Sequence, residues 1–396
     1  MKHIFVFVLS AVIIVGGLCS ENLREQLQND FSVFKTDTAE KGVFDAFDTF
    51  TDNTEKTVIS NLSYHDWAMN AYSTFNRLIG TRVVVKDDIT VVRADNGYLG
   101  SMRGKAENNT LESYAENVSK LYADAKDNGA EFLYVMAPMK GYDFSYPPNV
   151  TDYTISNCYR FSEMIKSRNI PFLSLIETAA DEEITAEEMF FVTDHHWKPR
   201  WGLWASERIS NRLDVKYDKA ILDIDNYNIE TYEDWFLGSQ GKKVGINFTP
   251  YGADDFEVIT PKFETSLTEK QPYKNSVREG DFTETVLYMN NMEVKDHYSL
   301  NPYVTYSGGD FREQIIINHK NPDGKKIVII RDSYACALVP FLSLVMGETY
   351  VVDIRENSGY VGDKLKMSEY IQKIKPDYVI VFYSGLSDSK DLFEFE

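Results

Sequence analysis

Phe191-Val192-Thr193-Asp194-His195-His196-Trp197 sets two of the chain's six histidines side by side behind an aspartate, just before a helical pattern that begins near Pro199. Imidazole and carboxylate groups need partners when buried, so such a cluster is costly to leave idle. A carboxylate two residues before an imidazole can fix its tautomer and orientation and stabilise its charged form. Asp194 would then orient His196, and His196 would act as a general base. A matching nucleophile stands in Ile330-Arg331-Asp332-Ser333-Tyr334-Ala335, where a hydrophobic run ends and a helix is expected to begin. At a helix N-terminus, unpaired N–H groups and the positive end of the dipole can stabilise the oxyanion formed when a serine hydroxyl attacks an ester carbonyl. The same position also suits a serine N-cap with no chemistry.

Other roles compete for these residues. Asp194, His195 and His196, with a carboxylate such as Asp332 or Asp353, could ligate a metal. Neighbouring histidines on one short loop usually diverge, however, and the H-x-x-x-H and H-E-x-x-H spacings are missing, so no metal is expected. His195 reads as a structural or substrate-orienting residue. Trp197, Trp201 and Trp204 share one helix face, which serves either as core or as a sugar-stacking platform. The Gly308-Gly309 turn could bring a second oxyanion donor or simply reverse the chain. Tyr306, Asn318 and Arg355 are weaker candidates for substrate contact, and His297 and His319 read as surface residues.

The elements that would position these groups follow an α/β rhythm. Thr81–Val85, Ile89–Arg93 and Asn96–Leu99 alternate β-branched residues with turn signals, as hairpins do. Leu111–Asn128 is expected as a helix, Glu131–Pro138 as a strand buried on both faces, Cys158–Ser167 as a helix and Ile170–Leu175 as the next strand. Residues 215 to about 320 break the rhythm and are expected as an insertion with β-structure, including Phe256–Thr260 and Thr285–Met289. Order returns with strands at Lys326–Ile330, Thr349–Asp353 and Tyr378–Phe382, separated by helices over Tyr334–Met346 and Lys364–Ile374. A catalytic domain over 81–396 with one insertion is the economical reading, since no internal repeat appears.

With 396 residues and 43% hydrophobic content the chain can bury a large core. Its net charge of −20 argues against nucleic acid, whose binding rests on Lys and Arg neutralising phosphates. Residues 1–20 hold Lys2 followed by an apolar stretch from Ile4 to Leu18, a length that fits a signal-peptide core better than a membrane span and implies export. If uncleaved, the same segment would anchor the chain to the membrane. Residues 21–80 read as a helical N-terminal extension. Cys19 would leave with a cleaved signal, and Cys158 and Cys336 alone are too few for a disulfide framework; their pairing stays open, and Cys336 reads more simply as a small buried helix residue.

The blocks Thr193-Asp194-His195-His196-Trp197 and Ile330-Arg331-Asp332-Ser333-Tyr334 together resemble the DHHW protein family and, through it, SGNH-like enzymes of the alginate O-acetyltransferase type. In that group acid and base precede the nucleophile, and Asp194, His196 and Ser333 match those places. The likeness covers roughly residues 90 to 385, including Asn96-Gly97-Tyr98-Leu99, Tyr306–Asp310, Val352–Arg355 and Pro376–Val379. Arg331-Asp332 depart from the glycine and threonine that precede the serine in the alginate enzymes. The resemblance implies an SGNH-hydrolase-like parallel sheet flanked by helices. It also implies O-acetyl transfer to a cell-surface or exopolysaccharide carbohydrate, without cofactor, the acetyl donor arriving through a membrane O-acyltransferase. A carbohydrate esterase of the same fold, or a glycan-binding surface protein without catalysis, remains the alternative.

Overall fold

The computed structural model describes residues 31–33, 35, 65–86, 89–355, 365–386 and 390–396. The apolar segment at residues 4–18, Cys19 and most of the 21–80 extension lie outside the described residues. The chain divides into two units, Met1–Phe75 and Asn76–Glu396. What is described of the first is helical, ending in the start of helix α1 (His65–Leu78).

In the second unit, β1 (Val83–Lys86), β2 (Ile89–Arg93) and β3 (Leu99–Ser101) form a small antiparallel sheet. Helix α2 (Asn108–Asp127), β4 (Glu131–Ala137), α3 (Thr154–Ser167), β5 (Phe172–Ser174) and α4 (Leu175–Asp181) follow. Next come the short α5 (Ala186–Met189) and α6 (Pro199–Arg212). A two-stranded ribbon of β6 (Tyr227–Phe236) and β7 (Asp254–Pro261) encloses α7 (Ser239–Val244) between its strands in sequence. Then come β8 (Leu267–Gln271), β9 (Ser276–Gly280), α8 (Phe282–Val286), β10 (Glu313–Asn318), β11 (Lys326–Arg331), α9 (Val339–Ser343), β12 (Glu348–Val352), α10 (Met367–Ile374) and β13 (Tyr378–Ser384).

The central sheet has eight strands in the order β5-β4-β13-β11-β12-β10-β8-β9. From β5 to β12 the neighbours run parallel, and β10, β8 and β9 continue the edge antiparallel. Strands of a parallel sheet are buried on both faces, which explains their unbroken apolar runs. Side chains alternate across the sheet, and the two sets enter separate cores. Leu133, Val135, Ile327, Ile329, Ile380 and Phe382 pack with α4, α6 and α9, whereas Phe132, Tyr134, Val328, Ile330, Val379 and Val381 pack with α2, α3 and α10.

Within residues 215–320, β8, β9 and β10 extend the antiparallel edge of the sheet. Two expectations change. Thr285–Met289 is not a strand: Asp281 and Glu284 make a capping box that starts α8, and a 3₁₀ turn follows at Met289–Met292. Tyr334–Met346 is not one helix but a 3₁₀ turn, Ser333–Cys336, followed by α9 with Pro340 in its first turn.

That break is pinned by α6. A Cβ on Gly202 would stand 2.0 Å from the carbonyl oxygen of Ala337, so only glycine lets α6 lie against the chain leaving Ser333. Gly202→Ala is expected to destabilise the protein by roughly 2 kcal/mol, seen as a lowered melting temperature; an unchanged transition would refute this close packing.

Candidate active site

Ser333 follows the carboxyl end of β11, where ligands collect in open α/β sheets. The His195-His196 loop joins α5 to α6 and is closed by a bridge between Phe190 and Trp197. Although 137 positions separate them, His196 Nε2 stands 2.8 Å from Ser333 Oγ. On its other side His196 Nδ1 lies 2.5 Å from Asp194 Oδ1. An ionised carboxylate only accepts, so Nδ1 carries the hydrogen and the lone pair of Nε2 faces the Ser333 hydroxyl.

Three donors hold Asp194. The His196 N–H reaches Oδ1 at 2.9 Å, His196 Nδ1 shares that oxygen, and the Ser239 N–H reaches Oδ2 at 2.6 Å. Burial by itself would raise the Asp194 pKa. The adjoining His195 and His196 and these hydrogen bonds instead hold it well below the usual carboxylate range. Gly238 permits the approach, since a Cβ there would fall 2.1 Å from Asp194 Cβ.

His196 is packed on both ring faces. The Tyr303 ring stacks on it at 4.1 Å and 19°, and the His195 ring covers the other side at 3.8 Å. Only in-plane hydrogen bonding remains open to it. Both of its nitrogens are thereby committed, which leaves the Asp194, His195 and His196 cluster, compact as it is, poorly suited to a metal. Of the other proposed ligands, Asp332 accepts from Ser384 and Asp353 binds Arg355. His195 is half-buried, with Nδ1 2.9 Å from Ser239 Oγ. Desolvation and the neighbouring His196 lower its pKa, and Asp194 opposes them.

The two loops are tied by more than the His196 contact. Trp197 is fully buried and donates its indole N–H to the Tyr334 carbonyl at 3.0 Å, which Tyr303 Oη also reaches at 3.2 Å. The Tyr334 hydroxyl donates back to the His195 carbonyl. Trp197 is therefore a brace and not a substrate contact. Ser333 opens a single 3₁₀ turn, not a helix; Asp332 caps it, accepting from the Tyr334 N–H at 3.0 Å. The helix expected there, with its dipole, is replaced by this single turn.

The remaining candidates sit farther back. Tyr306 is buried, donating to the Glu257 carbonyl and accepting from the Ile259 N–H, and Asn318 is buried against the carbonyls of Ser343 and Leu344; neither can touch a substrate. Gly309 makes a turn at φ 106°, and its carbonyl accepts from Arg331 at 2.7 Å. Arg355 is half-buried, with its guanidinium committed to Asp353 and Asp310. Trp201 and Trp204 meet edge to face and donate to Glu188 and Glu182, on α6 away from the serine turn. His297 and His319 bond to Asp234 and Thr268, and Cys158 and Cys336 are buried free thiols.

No motif marks Lys140, Asp254, Tyr303 or Ser239, yet each supports the site. The Lys140 ammonium is buried and donates to the carbonyls of Val192 and Asp194 and to Gln240 at 2.7–3.1 Å. Asp254 accepts from the N–H groups of Val192 and Thr193 at 2.5 and 2.8 Å. Lys140 follows β4 and Ser384 ends β13, so the rule that sites gather at the carboxyl ends of parallel strands would have found both.

No protein-family model and no curated protein matches the chain. Solved structures do, among them the following two. Bacillus cereus PatB1, determined with a sulfonyl adduct, is 22% identical, with a TM-score of 0.63 over 78% of this chain and 100% of that one. A DHHW family protein from Eubacterium siraeum is 20% identical, with a TM-score of 0.57 over 78% and 96%. The chain shares the fold of these two proteins, a mostly parallel sheet between helix layers, as the resemblance of its two motifs implies.

Asp194→Asn puts an amide where His196 Nδ1 and the Ser239 N–H both need an acceptor. It is expected to lower kcat by on the order of 10³–10⁴, measured with a chromogenic acetyl ester. A depressed carboxyl contributes stability that is complete above the ordinary value of 3.8 and is lost as pH falls through the folded-state value. The variant should therefore show a flatter loss of stability below about pH 4 than wild type. Full turnover in the variant would remove Asp194 from its orienting role.

Proposed function

We propose that this protein is an exported serine-type O-acetyltransferase that modifies a surface carbohydrate through an acetyl-enzyme. The observation that carries the reading is the hydrogen-bonded line from Asp194 through His196 to Ser333 Oγ at the carboxyl end of the sheet. Ser333 Oγ attacks the acetyl carbonyl while His196 Nε2 takes its proton, and His196 returns that proton to the departing oxygen of the donor. A sugar hydroxyl then gives its proton to the same nitrogen and attacks the acetyl carbon. Ser333 Oγ leaves and is reprotonated. Asp194 stabilises the imidazolium present between these transfers.

The fold shared with PatB1 and the DHHW family protein supports the reading at the level of architecture. The sulfonyl adduct on PatB1 suggests the probe, because sulfonyl reagents are captured by activated nucleophiles. Export rests on the apolar segment after Lys2, and among the described residues no helix is long and apolar enough to cross a membrane. Handing of acetyl groups to this domain by a membrane O-acyltransferase fits that placement. If water replaces the sugar, the same groups make an esterase.

Full-length protein should release acetate from a chromogenic acetyl ester and take up one sulfonyl group on Ser333, read by mass spectrometry. Ser333→Ala should lose both, with turnover down by at least about a thousandfold. Added oligosaccharide should divert acetyl from water to sugar. Activity indifferent to Ser333 would overturn the serine mechanism, and acetate release that no saccharide diverts would favour the esterase.

A further inference from the structure

Lys140 follows β4, which ends at Ala137, and its side chain is buried. Its ammonium donates to the Val192 carbonyl at 2.8 Å, the Asp194 carbonyl at 2.7 Å and Gln240 Oε1 at 3.1 Å. An ammonium has three hydrogens and no lone pair, and these three oxygens use all of them. Gln240, on α7, extends the link by donating its amide to Ser101 Oγ at 2.9 Å. One charged group thereby joins the carboxyl end of β4, the loop that carries Asp194, α7 and β3. The Asp194 carbonyl belongs to the peptide that leads to His195, so its bond to Lys140 fixes the direction in which the chain reaches His196.

Ionisable groups face this ammonium from several elements. Burial draws the Lys140 pKa below the ordinary 10.5; Asp254 on β7 and Asp194 on the loop oppose this, and Lys198 at the entry to α6 adds to it. Asp254 has both oxygens engaged by the Val192 N–H and by the N–H and hydroxyl of Thr193. His195 lies within the field of Lys140, and the Tyr98 ring, just before β3, stands 5.7 Å from Nζ. Arg103, after β3, and Lys243, on α7, line the same cavity as Lys140, while Lys242 on α7 feels the charge of Asp194.

We infer that Lys140 is a positioning residue whose ammonium form holds the Asp194 loop in register with Ser333, so that its proton sets the alkaline limit of activity. A neutral amine keeps two N–H donors and turns a lone pair toward the third oxygen. That oxygen then lacks a donor inside the protein, which is costly, and the loop relaxes to relieve it. The 2.8 Å alignment of His196 Nε2 on Ser333 Oγ goes with it. The general base governs the other side of the profile, because it must be uncharged to take the Ser333 proton and fails as pH falls. Stability moves against activity here. Between the folded-state value and 10.5 the unfolded chain holds a proton that the folded chain has lost, so the contribution of this group to stability grows as pH rises through that window. The inference rests on the proposed acyl transfer for its kinetic readout.

With full-length protein and the chromogenic acetyl ester, corrected for hydrolysis seen with Ser333→Ala, kcat should fall by at least about tenfold as pH is raised toward 10.5, with no parallel fall in melting temperature. Lys140→Arg, whose guanidinium keeps its proton throughout, should lack that fall. Lys140→Met should be slower by roughly ten- to a hundredfold at neutral pH, with KM little moved and a level alkaline side. The far-downfield proton resonance of the Asp194–His196 hydrogen bond should weaken over the same range in wild type and persist in Lys140→Arg, a readout that needs no turnover. A kcat that stays level up to 10.5, a fall that tracks the melting temperature, or a fall that survives in Lys140→Arg overturns the inference. If Lys140→Arg does not fold, the wild-type kcat and melting curves decide by the same criteria. A resonance that weakens as stated without any ester turnover overturns the proposed reaction and leaves the role of Lys140 standing; no turnover and a resonance indifferent to pH overturns both.

Discussion

Asp194 is a carboxylate kept charged inside the protein, and much of the surrounding structure exists to make that tolerable. Removing a carboxylate from water costs several kcal/mol in a real protein unless hydrogen bonds and opposite charge replace the solvent. Here the replacement comes from three directions. The loop itself supplies the His196 N–H and ring, α7 supplies the Ser239 N–H, and Gly238 gives up its side chain so that α7 can approach. The backbone just before Asp194 is held in turn by Asp254, and its carbonyls by Lys140. Burial lowers the Lys140 pKa and raises that of Asp254, while each draws the other back toward its charged form.

The serine side is built on similar terms. Arg331, the last residue of β11, is 1% exposed as a side chain and shares Asp310 and Asp353 with Arg355. Two cations and two anions leave this group neutral, and its bond to the Gly309 carbonyl ties the 308–309 turn to the strand that ends just before Ser333. A rigid strand end on one side and a braced loop on the other make the 2.8 Å approach of His196 to Ser333 a property of the scaffold, not of flexible side chains. The departure at Arg331-Asp332 from the alginate enzymes is thus structurally occupied: Arg331 is a strut, and Asp332 caps the turn and accepts from Ser384.

Legibility followed locality. The apolar strands and their order α/β could be read because burial on both faces writes itself as unbroken Val and Ile runs, as in Lys326–Ile330. Asp194, His196 and Ser333 could be proposed because two short motifs hold them, but their mutual geometry spans 137 positions and came only with the fold. Thr285–Met289 misled because Thr285, Val286 and Tyr288 favour strands, while the deciding signal, the Asp281 and Glu284 capping box, lies just upstream. Tyr334–Met346 misled because apolar residues at nearly every position hide the helical period, and only Pro340 within the segment argues against one helix. Tyr303 carries no local signal, since its role depends on elements packed from elsewhere in the chain, whereas Lys140 is marked only by its place just after β4.

The short turn at Ser333 changes how an oxyanion would be stabilised. A long helix would aim aligned peptide dipoles at the developing charge, and its loss shifts that burden to individual donors and to side-chain charge. The Ser333 N–H remains, and Arg103, Lys140 and Lys243 line the wall beyond Tyr334. Positive charge near Ser333 would favour negative charge developing there during a reaction, more so where water is excluded and the effective dielectric is low.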